Sequence, residues 1–282
     1  MKFYNVYKYK KNLENKEPLI HCITNLVTIS DMAQVLTTAG ARPLMAHSSK
    51  ESGDITSISD GLVLNIGTLD DLQKDGMIAA FKAALKNNIP VVIDPVGVHA
   101  TEYRKEFLKE LLSIGNPTVI KGNLSEIKSI VKMNSSFKGI DCLEGEEGLS
   151  SDVIEKTKDF SKERNIIIVV SGKRDLVILG EKTFVVDNGS SLMGKVTGSG
   201  CFLGALLAAF VASVSEREKV NKEEQLYASL SSVVFWGLCG EVAESNLEKN
   251  EGIFSFKHRL LDNISLITEE NIKKGEKISE EF

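Results

Sequence analysis

Short runs of β-branched residues alternate along this chain with longer stretches of helical character, and this alternation limits the fold more than any other feature. Val91–Ile93 and Ile166–Val170 are continuously apolar, which is typical of strands covered by helices on both faces. Strands separated by helices predict a doubly wound, mostly parallel sheet between two helical layers. We therefore predict a three-layer α/β/α fold.

The strands predicted from these runs are Leu19–Ile23, Leu44–Ala46, Gly61–Ile66, Pro90–Asp94, Thr118–Ile120, Ile166–Ser171, Leu176–Leu179 and Thr183–Val186. The predicted helices are Ser30–Thr38, Leu69–Asn87, Glu102–Leu112, Ser125–Val131, Ser151–Glu163, Gly200–Ser213 and Glu223–Asn246. A length of 282 residues fits one large domain or two small ones. No segment has the composition of a linker, and Ser135–Ser150 is the best candidate for a loop or small insert, so we expect one domain spanning residues 1–282.

The segment Gly194–Cys201 has the sequence GKVTGSGC and leads directly into the apolar stretch FLGALLAAFVAS. A glycine-rich turn at a helix start lets several backbone N–H groups point at one spot, where the helix dipole adds positive potential. Such a turn suits an anion, for instance a phosphoryl group in transfer. The pattern is neither a Walker A loop nor a Rossmann fingerprint. The alternative is a glycine-rich turn that only enters a core helix.

Cys201 falls in the first turn of the predicted helix that follows this segment. The helix dipole is expected to lower the pKa of a thiol at that position, so Cys201 could accept a proton from a substrate hydroxyl. The structural alternative is a small buried hydrophobic residue. For Gly198, we expect replacement by valine to reduce activity far more than stability.

Acidic residues follow two successive predicted strands. Asp94 ends the run VVID, and Glu126 follows the strand end, turn and Asn123 in the sequence IKGNLSE. Ligands in open α/β sheets bind outside the carboxyl ends of the strands. Asp94 and Glu126 could together hold Mg²⁺ through oxygen ligands or water. The alternative for each residue is an acid that caps a helix or a turn.

Three further positions are candidates for ligand contacts. Ser171 ends another predicted strand and could contact a nucleotide phosphate, whereas Lys173 and Arg174 after it are equally consistent with hairpin-turn charges. Asn25 follows the first strand and could hydrogen-bond a heterocycle or a hydroxyl. Met45 has a flexible, polarizable side chain that can pack against a ring. For Asn25 and Met45, a structural role is the alternative.

Charge and cysteine content exclude several other classes. A formal charge of -5 argues against nucleic-acid binding, which favours a basic surface. The four cysteines form no CxxC pair, and the four histidines show no metal-ligand spacing, so no zinc site is predicted. The N-terminal sequence lacks the apolar segment of a signal peptide, and no apolar run reaches the length of a membrane span. We expect a cytoplasmic protein with free thiols and no membrane partner.

Taken in order, six segments resemble those of the hydroxyethylthiazole kinases, a branch of the ribokinase-like superfamily. The segments, which lie between about Pro18 and Ser213, are IHCITN, AGARPLMAH, VVIDPVG, VIKGNLSEI, VVSGKRD and VTGSGC. In the resembling motif, most members of that superfamily carry aspartate at the position that Cys201 occupies in this chain. Cysteine at this position is characteristic of the thiazole kinases.

This resemblance implies a ribokinase-like domain without a lid, acting on a thiazole alcohol with ATP and Mg²⁺, and a homotrimer with sites near the subunit interfaces. By role, it implies Cys201 as the base within the anion site of Gly198, Ser199 and Gly200; Asn25, Met45 and Gly198 near the thiazole; Lys121, Asn123 and Ser171 near the nucleotide; and Asp94 and Glu126 near the metal and phosphates.

The sequence departs from the family pattern in places, and other functions stay open at this point. Lys121 stands where the family leads us to expect arginine, and Ser171 and Ser199 replace threonine. Lysine keeps the charge but loses the bidentate fork of arginine. One alternative is a related kinase of a pyrimidine or pyridine alcohol. Another is a non-catalytic sensor of the thiazole or of nucleotide.

Overall fold

A computed structural model describes residues 5–134 and 150–281 of the chain. Its nine strands form one sheet in the order β2-β1-β3-β4-β5-β6-β7-β8-β9. The pairings from β2 through β6 are parallel, and those from β6 to β9 are antiparallel. The strands are β1 (Leu19–Ile23), β2 (Arg42–Leu44), β3 (Gly61–Asn65), β4 (Val91–Asp94), β5 (Val119–Asn123), β6 (Ile167–Ser171), β7 (Asp175–Leu179), β8 (Lys182–Val186) and β9 (Ile278–Glu281).

Helices cover both faces of this sheet, which confirms the predicted three-layer α/β fold. Val63 and Val92 face one hydrophobic core, shared with α1, α2 and α8–α11, whereas Leu62 and Ile93 face a second core, shared with α4–α7. The α-helices of the described ranges are α1 (Val6–Lys16), α2 (Ile29–Ala39), α3 (Ser52–Ile58), α4 (Asp71–Lys86), α5 (Glu102–Ile114), α6 (Leu124–Asn134), α7 (Ser151–Arg164), α8 (Ser199–Val214), α9 (Lys222–Ser245), α10 (Ile253–Leu266) and α11 (Glu269–Gly275).

Helix α8 is oriented so that its N-terminus points to the carboxyl ends of the parallel strands. A Cβ atom placed on Gly204, one turn into the helix, would lie 3.5 Å from Asp94 Oδ2 at the end of β4. A Cβ atom on Gly61, at the start of β3, would lie 3.2 Å from the Cβ of Ala212 near the other end of α8. These two contacts show the direction of α8 across the sheet, because opposite ends of the helix meet opposite ends of the strands, and at Gly61 a side chain would be crowded by Ile20 and Ala212.

Several elements were not predicted from the sequence. Helix α1 is rich in lysine and buries a narrow face that includes Tyr9 and Leu13, so it has little of the apolar periodicity used to recognise helices. Strand β9 carries acidic residues at the sheet edge and has no apolar run. Of the predicted loop Ser135–Ser150, residues 135–149 lie outside the described residues. The second strand was predicted at Leu44–Ala46, whereas β2 spans Arg42–Leu44, so the predicted position was wrong by two residues.

Among the described residues, helix α9 alone is long and apolar enough to cross a membrane. However, 89% of its most apolar window is buried inside the protein, as expected for a core helix. Helix α9 packs along α8, and the rings of Phe202 and Trp236 meet edge to face across that contact with their centroids 6.2 Å apart.

Candidate active site

The register of the parallel strands brings polar side chains to one edge of the sheet. Asn65 at the end of β3 pairs with Asp94 at the end of β4. Asn123 at the end of β5 likewise pairs with Ser171 at the end of β6. Asn25 follows β1 in the same layer. The N-terminus of α8 points at this edge, so the positions singled out in the sequence lie around one region of the molecule.

Asp94 is fully buried and is held by two donors. Asn65 Nδ2 donates to Asp94 Oδ2 at 2.8 Å, and Lys121 Nζ donates to Asp94 Oδ1 at 3.1 Å. Burial raises the pKa of Asp94; the Lys121 ammonium opposes that shift, and the charge of Glu126 adds to it. Because this buried carboxylate is paired with a single ammonium, any further charge that enters the site is expected to change the pKa of Asp94.

Lys121 lies inside strand β5, whereas the sequence predicted that the strand ends before it. The strand runs on to Asn123, so the Lys121 side chain is buried against Asp94. Burial alone would lower the pKa of Lys121, but the carboxylates of Asp94 and Glu126 outweigh it and raise the pKa above its usual value. A Cβ atom placed on Gly200 would lie 3.0 Å from Lys121 Nζ. The ammonium therefore sits against the first turn of α8, and the two sources of positive potential favour an anion between them.

Cys201 lies half-buried in the first turn of α8, and its sulfur faces hydrogen-bond donors. Asn65 Nδ2 lies 3.2 Å and Asn25 Nδ2 lies 3.4 Å from Cys201 Sγ. The expectation that the helix dipole lowers the pKa of this thiol was wrong. Burial raises the pKa of Cys201 and the negative charge of Asp94 adds to the shift, while Lys121 opposes it.

Asn65 is hydrogen-bonded to both Asp94 and Cys201, and it was not among the residues predicted from the sequence. One amide nitrogen donates to both residues, and Asn65 Oδ1 accepts from Asn25 Nδ2 at 3.1 Å. The signal was present in the sequence, because Asn65 ends the run LVLN as Asp94 ends the run VVID. We conclude that Asn65 makes the aspartate and the thiol one hydrogen-bonded group.

The polar atoms of Asn25 are engaged within the protein. Asn25 Nδ2 donates to Asn65 and Cys201, while Asn25 Oδ1 accepts from Thr28 Oγ1 at 3.1 Å and from the backbone of Val27 and Thr28. This arrangement favours a role in which Asn25 orients Asn65 and Cys201 over direct recognition of a substrate. Met45 follows β2, next to β1, and its half-buried side chain packs on the hydrophobic core. The substrate contacts of both residues stay predictions.

Glu126 is held by the backbone of two strand-end turns. Its Oε1 accepts from Gly97 N at 2.9 Å, and its Oε2 accepts from Asn123 N at 2.8 Å. Asn123 Oδ1 in turn accepts from Glu126 N at 3.0 Å, which caps the start of α6. Glu126 therefore caps two turns, which is the alternative to metal binding that the sequence left open. Its carboxylate also lies beside the turn after Asp94.

Ser171 and the turn after it flank the same edge. Ser171 Oγ donates weakly to the Gly122 carbonyl at 3.4 Å, so the hydroxyl is largely available. Asp175 Oδ1 accepts from Gly172 N at 2.8 Å and closes the turn. Burial raises the pKa of Asp175 to about 6, and the carboxylate is therefore ionised above that pH. Arg174 pairs with Asp187 across the hairpin, which fits the hairpin-turn interpretation of this cation.

The acidic groups of the site fit Mg²⁺ better than a softer metal. In the described ranges, no cluster of three or more His, Cys, Asp or Glu residues is arranged to hold a metal ion. Mg²⁺ is commonly bound by one or two carboxylates together with substrate phosphates and water, and it does not need a closed protein cage. Asp94 at the end of β4 and Glu126 in the first turn of α6 are two carboxylates beside the same turn, and their role as Mg²⁺ ligands stays a prediction.

Gly198 is required by local geometry at the N-cap of α8. Its φ of +88° lies in the left-handed region, and a Cβ atom there would lie 2.5 Å from Thr28 Cγ2 and 3.0 Å from Phe202 Cζ. Because Thr28 and Phe202 belong to the packed interior, a side chain at Gly198 is expected to reduce stability as well as activity, and the relative size of the two losses for Gly198→Val stays a prediction.

We predict that Gly198→Ala lowers both activity and stability, by roughly 10²-fold in kcat and by more than 1 kcal/mol in the free energy of unfolding. Gly194→Ala is the matched control, since a Cβ atom there would meet nothing within 4 Å. Thermal unfolding and catalytic turnover measured on both variants test this. A Gly198→Ala protein that behaves like the Gly194→Ala control would contradict the geometry.

Comparison with known proteins identifies relatives of this chain. Residues 10–270 match the model described as the hydroxyethylthiazole kinase family. A protein named hydroxyethylthiazole kinase from Clostridium perfringens (strain ATCC 13124) is 43% identical over 266 residues, covering 94% of this chain and 98% of that protein.

Two solved structures are also similar to this chain. The structure of hydroxyethylthiazole kinase from Pyrococcus horikoshii OT3 is similar with a TM-score of 0.84 at 35% identity, covering 100% of both chains. A ribokinase-like superfamily protein from Enterococcus faecalis V583 is similar with a TM-score of 0.61 at 11% identity, covering 92% of this chain and 89% of that one. The latter match shows the fold alone, and together the two confirm the ribokinase-like fold predicted from the sequence.

Proposed function

This chain belongs to the hydroxyethylthiazole kinase family, and we infer that it transfers a phosphoryl group from ATP to the primary alcohol of 4-methyl-5-(2-hydroxyethyl)thiazole. The inference extends to a place in thiamine salvage. The observation that carries it is the meeting of Asp94, Lys121 and Cys201 at the N-terminus of α8. This is the arrangement that a transferring phosphoryl group requires, with positive potential beside a proton acceptor.

In the proposed reaction, the alcohol oxygen of the thiazole forms a bond to the γ-phosphorus, and the bond to the β–γ bridging oxygen of ATP breaks. The backbone N–H groups of Gly200 and Cys201 at the start of α8 and the Lys121 ammonium stabilise charge on the equatorial oxygens, while the N–H group of Ser199 donates to the Val196 carbonyl. The thiolate form of Cys201 takes the hydroxyl proton late in the reaction and becomes the thiol. Phosphoryl transfer depends mainly on positioning and electrostatics, so the small thiolate fraction that a raised pKa leaves is sufficient as the final proton acceptor.

Asp94 and Glu126 are the residues proposed to hold Mg²⁺, which neutralises charge on the triphosphate when it is bound. Ser171 and Asn123 are proposed to lie beside the nucleotide, because they end neighbouring strands at the same edge of the sheet. Met45 is proposed to pack against the thiazole ring. The raised pKa of Lys121 keeps this side chain protonated at neutral pH, as its proposed contact with phosphate oxygens requires.

We also propose that the protein is a single-domain, cytoplasmic homotrimer with its sites near the subunit interfaces. The single sheet of nine strands supports one domain. Leu26 and Val27 directly follow Asn25, and each is about two-thirds exposed, at 65% and 66%. Neighbouring apolar side chains at the edge of a site are suited to contact with a second subunit.

A substrate panel at fixed ATP and Mg²⁺ concentrations tests the substrate assignment. We expect kcat/KM for the thiazole alcohol to exceed that for hydroxymethylpyrimidine and pyridoxal by at least about 10²-fold, since a site shaped for one heterocycle leaves polar groups unpaired with another. Preference for either competitor would reassign the substrate within the superfamily. ATP binding with no ADP release for any of the alcohols would instead indicate a sensor.

The role of Cys201 as proton acceptor predicts that Cys201→Asp keeps or raises turnover, because a carboxylate can accept the same two amide N–H groups. Cys201→Ala is expected to lose roughly 10²-fold in kcat, the lower range for a general base. The measurement is kcat by ADP release for both variants and the wild type. A folded Cys201→Asp protein with no activity would count against this assignment.

A further inference from the structure

Arg104, in the first turn of α5, connects the two turns that follow Asn65 at the end of β3 and Asp94 at the end of β4. Its Nη2 donates to the carbonyl of Gly67 at 2.7 Å, and its Nη1 donates to the carbonyl of Val96 at 3.3 Å. Gly67 belongs to the turn after β3, and Val96 belongs to the turn after β4. A single guanidinium therefore spans two adjacent strand ends, which the planar fork of arginine can do and a single ammonium cannot.

The turn on one side of Arg104 supports the amide pair behind Cys201. Gly67 N donates to Asn65 Oδ1 at 3.0 Å, while the carbonyl of the same residue accepts from Arg104. A Cβ atom placed on Gly67 would lie 3.1 Å from the Cβ of Asn25. The Gly67 backbone thus packs against both asparagines whose side chains contact Cys201, and a shift of this turn would move them.

The turn on the other side of Arg104 supports Glu126. Gly97 has a φ of +69°, and a Cβ atom there would lie only 2.1 Å from Arg104 Nη1. The guanidinium therefore occupies the space that a side chain at residue 97 would need. Gly97 N donates to Glu126 Oε1 at 2.9 Å. The position of this carboxylate accordingly depends on a turn that Arg104 holds from behind.

We propose that Arg104 is a positioning residue for phosphoryl transfer, acting through Gly67 on the Asn65–Cys201 group and through Val96 and Gly97 on Glu126. This inference rests on the proposed function. Arg104 makes no hydrogen bond to Asp94, Cys201 or Glu126 in the described structure, so its effect on catalysis is indirect. Its hydrogen bonds to the carbonyls of Gly67 and Val96 set the distance between the turn that supports Cys201 through Asn65 and the turn that supports Glu126.

A pair of arginine positions allows the positioning role to be separated from a general contribution to stability. Arg217 also donates to two backbone carbonyls, those of Ser57 at 3.0 Å and Ser59 at 2.8 Å, but near the amino ends of the strands. Arg104→Lys and Arg104→Met are therefore compared with Arg217→Lys and Arg217→Met. For each protein, kcat and the KM values for ATP and the thiazole alcohol are measured together with the melting temperature.

We expect Arg104→Met to lower kcat by roughly 10²-fold, because small displacements of catalytic groups have effects of this size. Arg104→Lys should recover only part of that loss, since a single ammonium can reach one of the two carbonyls. The Arg217 variants should keep kcat within about threefold of the wild type at a comparable loss of melting temperature. If Arg104→Met does not fold, Arg104→Lys alone is compared with Arg217→Lys, with the same expectation of reduced kcat.

A double-mutant cycle with Asn65→Leu tests the proposed route. If Arg104 acts through Gly67 and Asn65, the combined loss in kcat should be clearly smaller than the product of the two single losses. An active wild type, with Arg104 variants that lose only as much kcat as the Arg217 variants, would overturn the positioning role and leave the proposed function intact. If the loss in kcat of the double variant equals the product of the two single losses, the route through Asn65 is overturned. A wild type that transfers no phosphoryl group would overturn the proposed function, and the positioning role with it.

Discussion

Replacing Lys121 with methionine is expected to lower kcat for thiazole phosphorylation by about 10³-fold. The ammonium sits against the first turn of α8 and pairs with Asp94, so its removal takes away a full positive charge beside the phosphoryl group. It also leaves a buried carboxylate without its cation, which typically costs about 3 kcal/mol or more in the free energy of unfolding. Steady-state ADP release and denaturant unfolding measure the two effects.

Lys10→Met provides the matched control for this substitution. Lys10 is also buried and ion-paired, with Glu14 on α1, but it lies in the N-terminal helix and away from the strand ends. We expect Lys10→Met to reduce stability while kcat stays within about threefold of the wild type. If Lys121→Met and Lys10→Met lowered kcat to the same extent, the Lys121 charge would have no special part in the transfer.

Replacing Asp94 with asparagine should also lower kcat by about 10³-fold and should weaken the response to Mg²⁺. Asparagine has the same shape, but its nitrogen would face either Asn65 Nδ2 or Lys121 Nζ, both of which donate to Asp94 in the wild type. The substitution therefore places two donors together and removes the direct ion-pair partner of Lys121, so that Glu126 is the main negative charge still acting on the ammonium. It also removes one of the two carboxylates proposed to bind the metal.

The Mg²⁺ concentration that gives half-maximal ADP release is the informative measurement for Asp94→Asn. We expect it to rise by at least tenfold. Asp60→Asn is the control, because Asp60 Oδ2 accepts from Leu19 N at 2.8 Å at the amino ends of the strands, far along the sheet from the site. An unchanged Mg²⁺ response in Asp94→Asn would remove Asp94 from the proposed metal site.

Much of the fold could be predicted from the sequence because its central strands are continuously apolar. Runs such as Val91–Ile93 are buried on both faces of a parallel sheet, and few other structures favour that pattern. Helix α1 and strand β9 could not be predicted in the same way. Their polar surfaces outweigh the few residues that they bury, and tertiary packing decides their structure.

The candidate site was predictable where a side chain follows a recognisable strand or helix boundary, as with Asp94 and Cys201. It was less predictable where a contact depends on register. The place of Lys121 depended on the length of β5, which the glycine at position 122 obscured. The raised pKa of Cys201 depends first on burial of the thiol and then on the charge of Asp94, and both arise only in the folded chain.

The most direct test of the central claim is formation of the phosphate ester by the purified wild-type protein, followed by ³¹P NMR with ATP, Mg²⁺ and 4-methyl-5-(2-hydroxyethyl)thiazole. We predict one equivalent of thiazole phosphate for each ADP formed, with neither product appearing when the alcohol is omitted. ADP formation at an equal rate without the alcohol, or no ester despite bound ATP, would contradict the claim that the strand-end acids, Lys121 and the α8 N-terminus together transfer a phosphoryl group to this alcohol.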